Sequence, residues 1–181
     1  MSETDLSRPA GTERQRDIVA AALRILISEG PAAVTMRRVA AELGIQAPSL
    51  YKHVTDKSVV EGLLQQHAMA EFGVALRAGG RAPRDVAAAY RSWALRNPHL
   101  YEFAVRRPMR RDAIGATEQF AAEPLIEAVG GDRNRALALL GLAHGLVDLE
   151  LSDHFPHGTD IDAIWRAGVD AMAADRSSTP T

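Results

Sequence analysis

The sequence predicts an all-α protein: a three-helix helix-turn-helix domain followed by a larger helical domain, about nine helices in all. Three observations predict it. Apolar residues recur at helical spacing in every strong window. No window alternates apolar and polar residues as a half-buried strand does. Gly and Pro interrupt the chain at intervals that suit helix lengths.

The elements follow in order. Residues 1–11 hold Ser, Pro and Gly without periodicity, which predicts a disordered arm. Ile18, Ala21, Ala22, Ile25 and Leu26 predict a helix over 12–29, ended by Gly30-Pro31. Thr35 is suited to cap a short helix over 36–43, with Met36, Val39, Ala40 and Leu43 facing inward. Gly44 permits a tight turn. Pro48 fits the first turn of a third helix, 47–53, where its missing N–H does no harm. Asp56 then caps a long helix, 57–78, striped by Val60, Leu63, Leu64, Ala68 and Phe72. After a loop at 78–83, a helix over 84–96 stops before Asn97-Pro98 and a shorter one follows at 99–106. The run RRPMRR predicts a turn. A helical segment over 114–129 is expected to kink or break at Pro124. Helices over 133–152 and 160–174 flank the loop SDHFPHGT. The expected domains are 12–57 for the helix-turn-helix and 58–175 for the larger helical domain, with a disordered tail over 176–181.

Composition excludes several classes. Apolar residues make up 46% and charged residues 24%, ordinary for a globular chain. No apolar run approaches the ~18 residues of a membrane span. The opening residues lack the apolar stretch of a secretory signal. There are no cysteines, so no disulfides or thiolate metal sites, which suits a reducing cytoplasm. The net charge is −2, and residues 1–57 hold eight Lys/Arg against seven Asp/Glu. Neither half is a polycation, so any nucleic-acid contact rests on local placement of basic groups.

That placement is found in residues 44–57, GIQAPSLYKHVTDK. In a helix-turn-helix the second helix enters the major groove with its N-terminal residues against base edges. Leu50 and Val54, at i and i+4, face inward. Gln46, Ala47, Pro48, Ser49, Tyr51, Lys52 and His53 are left facing outward. Gln can address adenine, Lys can address guanine, and Ala or Pro can touch a thymine methyl. Ser49, Tyr51 and His53 can donate to phosphates. Thr35, Arg37 and Arg38 open the preceding helix, where N–H groups and side chains can hold a phosphate, and Lys57 opens the fourth helix to the same end.

The stretch TMRRVAAELGIQAPSLYKHVTDKSVVEGLL resembles the DNA-binding signature of the TetR family of transcriptional regulators, and the match extends over about residues 12–75. The resemblance implies that Gln46, Ala47, Pro48 and Ser49 probe bases. It implies that Tyr51, His53, Lys57, Thr35 and Arg38 hold the backbone, and that Lys52 makes the operator-specific contact. Ala47 departs from the tetracycline repressor, which has a polar base-reading residue there. A different operator is therefore expected, and tetracycline is not assumed as ligand.

The helix over 133–152 is apolar on more than one face, so it is expected to be buried on both sides, one of them against a second subunit. Leu139, Leu142, Leu146 and Leu149, with Ile164, Trp165, Gly168 and Met172 of the last helix, are the expected dimer interface. Gly141, Gly145 and Gly168 each cost about 1 kcal/mol relative to Ala, which close helix approach would justify. HGLVDLEL and IWRAG resemble one of the family's C-terminal subgroups. A two-fold dimer predicts a palindromic double-stranded DNA site with half-sites about 34–36 Å apart or a multiple of that. Tyr90, Trp93, Tyr101, Phe103, Met109, Phe120 and His144 are large groups on the central helices. The resemblance implies an effector pocket among them, and their character implies a hydrophobic or aromatic small molecule.

His144 and Asp148 at i, i+4, with His154 and His157, make a weak metal constellation, so no metal and no cofactor is expected. Arg110 and Arg111 of RRPMRR are expected to face solvent and pair with acids such as Asp112. No Cys nucleophile, Ser elbow, phosphate loop or paired-carboxylate signature points to an enzyme. The expected function is a ligand-responsive repressor. A constitutive DNA-binding regulator is the alternative, and an α-helical enzyme a remote one.

Overall fold

The computed structural model describes residues 12–173, so the arm over 1–11 and the tail over 176–181 lie outside the described residues. Within them the chain is all-α, with ten α-helices and no strand. In order these are α1 (Glu13–Glu29), α2 (Met36–Glu42), α3 (Ala47–Leu50), α4 (Lys57–Gly79), α5 (Pro83–Arg96), α6 (Pro98–Tyr101), α7 (Arg111–Ile114), α8 (Ala116–Ala128), α9 (Arg133–Leu151) and α10 (Ile161–Ala173). A 3₁₀ turn at Pro31–Ala33 follows α1, and a π-turn at Glu102–Arg106 extends α6.

The chain folds as two compact units. Residues 12–71 and Asn97–Glu118 form the first. Phe72–Arg96 and residues 119–173 form the second, so α4 supplies its first part to one and its last part to the other.

The first unit is built on α1. Thr12 and Gln15 cap it reciprocally: the Gln15 N–H donates to the Thr12 hydroxyl at 3.3 Å, and the Thr12 N–H donates to Gln15 Oε1 at 2.9 Å. Ile18, Ala22, Ile25 and Leu26 are buried, and α1 packs on α2 and α6. Thr35 caps α2 by accepting from the Arg38 N–H at 3.1 Å. Gly44 sits at φ +67°, a conformation that disfavours any Cβ, and so closes the turn before α3.

The third helix is shorter than its pattern predicts. It ends at Leu50, because the Leu50 carbonyl accepts from both His53 and Val54, at 2.9 and 3.1 Å. Residues 51–53 are therefore a turn, and Leu50 and Val54 still face the core. The stretch expected as one helix over 99–106 is α6 plus the π-turn, marked by the Arg107 N–H donating to the Glu102 carbonyl at 3.1 Å. The Arg-rich turn covers only Arg107–Arg110 before α7 begins, and one buried side chain holds it. Gln65, 2% exposed, donates to the carbonyls of Phe103 and Pro108 at 3.0 and 3.3 Å and accepts from the Arg110 N–H at 2.9 Å.

In the second unit α5, α9 and α10 pack on one another. Phe72 stands edge-on to Tyr90, ring centroids 5.0 Å apart, and tilted against Trp93 at 5.1 Å. Pro124 does not break the segment; α8 runs through it from Ala116 to Ala128. The reason lies in a residue distant along the chain. Proline cannot donate to the carbonyl four residues back, here that of Phe120. Arg77 does so instead, from Nη1 at 2.6 Å, while its Nη2 reaches Glu123 at 2.7 Å and its guanidinium lies over the Phe120 ring.

Candidate nucleic-acid interface

Within the first unit α2, the Gly44 turn and α3 place eleven sequence-selected residues on neighbouring backbone. Gln46, Pro48, Tyr51, Lys52 and His53 are exposed, as are Thr35, Arg37 and Lys57. Ala47, Ser49 and Arg38 are half-buried. Tyr51 is the strongest case, an aromatic side chain left 53% exposed where the core could have taken it.

The cations differ in what they are free to do. Arg37 and Lys52 make no ion pair among the described residues. Lys57 is exposed and meets Glu61 one turn on, at 3.2 Å; Glu61 is half-buried and also pairs with Arg107 at 3.5 Å. Arg38 is committed. Its guanidinium donates to Glu29 at 2.6 Å and to Glu42 at 2.9 Å, and Glu42 also accepts from Arg24 at 3.1 Å. The hydrogen bond that Arg38 donates to Glu29 holds Arg38 above its ordinary pKa, and the bond from Arg24 holds the Glu42 carboxyl below its own. This cluster ties α2 to α1. Asp56 caps α4, accepting from the Ser58 and Val59 N–H groups at 2.7 and 3.2 Å. The Ser58 hydroxyl is the first cause of its lowered carboxyl pKa.

One contributor was not read from the sequence. Gln15 Nε2 donates to the His53 carbonyl at 2.8 Å, so the residue that caps α1 also holds the end of the recognition turn. The Thr-x-x-Gln spacing at 12–15 signals the cap. Nothing in the sequence signals the second bond, which spans 38 residues.

A family model for bacterial regulatory proteins of the tetR family matches residues 18–59, and one for the tetracyclin repressor-like C-terminal domain matches residues 84–172. The uncharacterised HTH-type transcriptional regulator Rv0681 of Mycobacterium tuberculosis is 31% identical, over 93% of this chain and 84% of its own. The chain belongs to the TetR family. It is a helix-turn-helix, DNA-binding transcriptional regulator. Among solved structures, a TetR regulator from Rhodococcus sp. RHA1 superposes with a TM-score of 0.61 at 19% identity, covering 92% of this chain and all of that one (100%). TetR-Q116A from Acinetobacter baumannii, solved with minocycline, does so with a TM-score of 0.55 at 26% identity, covering 87% and 92%.

The residues selected for an effector in this TetR-family chain divide between the units. Tyr101, Phe103 and Met109 lie in the first; Tyr90, Trp93, Phe120 and His144 lie in the second. Tyr90, Tyr101 and Phe103 are fully buried, Trp93 and Phe120 nearly so, and Met109 and His144 half-buried. No group of three His, Cys, Asp or Glu side chains comes together as a cation site among the described residues. Of the selected interface residues, Leu139, Leu146 and Trp165 are buried inside the chain; Leu142, Ile164, Gly168 and Met172 are half-buried, and Leu149 is exposed. A Cβ on Gly168 would stand 3.0 Å from a Leu142 methyl, which explains that glycine within one chain. Gly141 and Gly145 meet nothing within 4 Å. Arg110 does pair with Asp112, at 3.5 Å, but also donates to the Ser58 carbonyl at 2.8 Å; Arg111 pairs with Glu118. No helix among the described residues is long and apolar enough to cross a membrane.

Proposed function

We propose that this TetR-family regulator acts in the cytoplasm as a dimeric repressor, which leaves a palindromic operator when a small hydrophobic or aromatic effector binds its helical domain. The observation that carries the DNA half is the recognition surface. Gln46, Pro48, Tyr51, Lys52 and His53 are exposed together while Leu50 and Val54 anchor the same turn in the core. Gln46, Ala47, Pro48 and Ser49 read bases, and Lys52 makes the contact specific to this operator. Tyr51, His53, Thr35, Arg37 and Lys57 hold phosphates. Arg38, engaged by Glu29 and Glu42, sets the angle of α2 instead.

The dimer is supported by α9. Leu137 and Leu149 are 64% and 39% exposed, beside two glycines that no neighbour in the chain explains. A second copy laid against this face would use all four. An effector then acts by preferring one of two dimer geometries, of which only one matches the half-site spacing. A related TetR holds minocycline, which supports a small-molecule effector without naming the one used here. The close-packed aromatics around Phe72 favour a second reading, a constitutive regulator whose helical domain only dimerises.

Fluorescence anisotropy with DNA from upstream of the protein's own gene, in a salt series against random DNA, tests the proposal. One dimer per palindrome, with salt-sensitive affinity well above random, is expected. Equal affinity for both DNAs would remove autoregulation. A specific complex that no compound in an effector screen dissolves would favour the constitutive reading.

A further inference from the structure

The second unit carries a groove that no selected effector residue lines; of the residues selected for the dimer, Trp165 lines it. It runs between α5 and α10, has a volume of about 420 Å³, and falls within the ~300–1,000 Å³ of small-molecule sites. Its apolar surface comes from Ala87, Ala88, Leu95, Trp165 and Val169. Leu95 is 37% exposed there, an apolar side chain left uncovered.

The groove stays open for identifiable reasons. On α5 the residues facing it at helical spacing include Ala87, Ala88 and Ser92, too small to fill it. The long arginines are drawn aside. Arg84 is held by Asp170 through two bonds of 2.6 Å. Arg91 is held by Glu150 at 2.8 and 3.0 Å and by Asp162. Glu150 in turn accepts from the Trp165 indole N–H at 2.6 Å, which fixes that ring as a wall. Arg84–Asp170 and Arg91–Asp162 are thus two rungs joining α5 to α10. Arg166, also lining the groove, is the loosely held cation: it is exposed, and its ion pair with Asp160 is 3.8 Å long.

We infer that this groove binds an amphipathic organic anion, a carboxylate on a flat or branched apolar body. The body covers Leu95, Ala88 and the Trp165 wall. The carboxylate meets Arg166, which lies near Asp160, Asp162 and Asp170 but makes no hydrogen bond to an acid among the described residues, and can also be shared with Arg84. Three guanidiniums and one carboxylate, Asp162, line the groove, and Asp170, Glu150 and Asp160 pair with those guanidiniums from outside the lining, so the preference for an anion comes from direct contact with the Arg166 donors and not from net charge. The groove uses Asp162, Trp165, Arg166 and Val169 of α10 and none of Leu137, Gly141, Gly145 and Leu149, so it is distinct from the α9 face proposed for the second copy. An anion competing for Arg84 or Arg91 loosens a rung and alters how α10 sits on α5. Its purpose as an effector site rests on the regulator reading above; its ligand chemistry does not. Unlike Tyr90, Trp93 and Phe120, which spend their surface on other side chains, this groove needs no opening of the core.

Equilibrium dialysis of the full chain against 1-naphthoate and octanoate, with 1-naphthalenemethanol and 1-octanol as neutral partners, tests the inference. Saturable binding of an acid at one per chain is expected, weaker by about tenfold for the matching alcohol and for Arg166→Gln, as the loss of one charge-assisted hydrogen bond implies. Ala88→Trp, at an exposed position, should fill the groove and abolish binding, while Tyr90→Phe leaves it unchanged. Binding that survives Ala88→Trp, or no saturable binding of either acid, overturns the inference. The upstream-DNA complex separates the two proposals. Release by the acid from wild type but not from Ala88→Trp supports both. Failure to bind that DNA specifically sinks autoregulation, while the dialysis result still decides the groove.

Discussion

The outward cations of the recognition turn and the helix-joining arginines of the second unit use their charge in opposite ways. At the recognition surface Arg37 and Lys52 make no ion pair among the described residues, and Lys57 pairs with Glu61. In the second unit Arg77, Arg84 and Arg91 are each held by an acid at 2.8 Å or less. A cation without a partner keeps its charge available for a phosphate and loses nothing on binding but water and counterions. A cation locked by acids holds helices together and must be displaced before it can bind anything. Net charge cannot reveal this difference. The chain is slightly acidic, yet it can present a basic face wherever its acids are turned elsewhere.

The comparison can be broken first at its apolar supports. Leu50 is fully buried beneath the recognition turn. Leu50→Ala should cost about 2–5 kcal/mol of stability, read by chemical denaturation, and should abolish specific binding before folding is lost. An unchanged midpoint would mean that α3 is not anchored as described. In the second unit, Arg77→Met keeps the apolar stem but leaves the Phe120 carbonyl without its donor beside Pro124. A loss of about 1–3 kcal/mol is expected, with DNA affinity per folded molecule unchanged.

The next tests sharpen the contrast between free cations. Lys52→Ala should relax sequence discrimination by about 1–3 kcal/mol when sites selected from a random library are compared. Arg37→Ala should instead weaken specific and random DNA alike and flatten the salt dependence by about 0.9 in slope. Interchanged outcomes would exchange the two roles. The smallest effect belongs to the rungs of the second unit. Hydrogen bonds from Arg84 and Arg91 hold Asp170 and Asp162 below the ordinary carboxylate range. Such lowered groups contribute stability that is present above their unfolded pKa, near 3.8, and lost as pH falls through the lower folded value. Acid titration should therefore shift Trp165 fluorescence only below about pH 4, and Arg84→Gln should shrink that change. A transition near pH 6 would point to a histidine instead.

Much of the first unit was legible because its signals are local. Thr35 before Met36, Gly44 after Leu43 and Pro48 in a first turn each act within a few residues, and the structure uses each as read. The exceptions arose where distant groups supplied what the local chain lacked. Pro124 reads as a break until Arg77, 43 residues away from Phe120, donates to the orphaned carbonyl. The bond from Arg38 to Glu29, nine residues back, is likewise not signalled by the residues around Arg38. The third helix reads as seven residues, but the Leu50 carbonyl closes it after four.

By itself the sequence determined the all-α class, the helix-turn-helix and the family, because periodicity, caps and turn glycines act at short range and the signature lies in contiguous residues. Only the tertiary structure decided which arginines are free, why Gly168 is small while Gly141 and Gly145 face open space, and where the second unit leaves a groove. Those outcomes depend on which side chains from remote parts of the chain arrive at one place, and hydrogen bonding and burial are settled there rather than along the sequence.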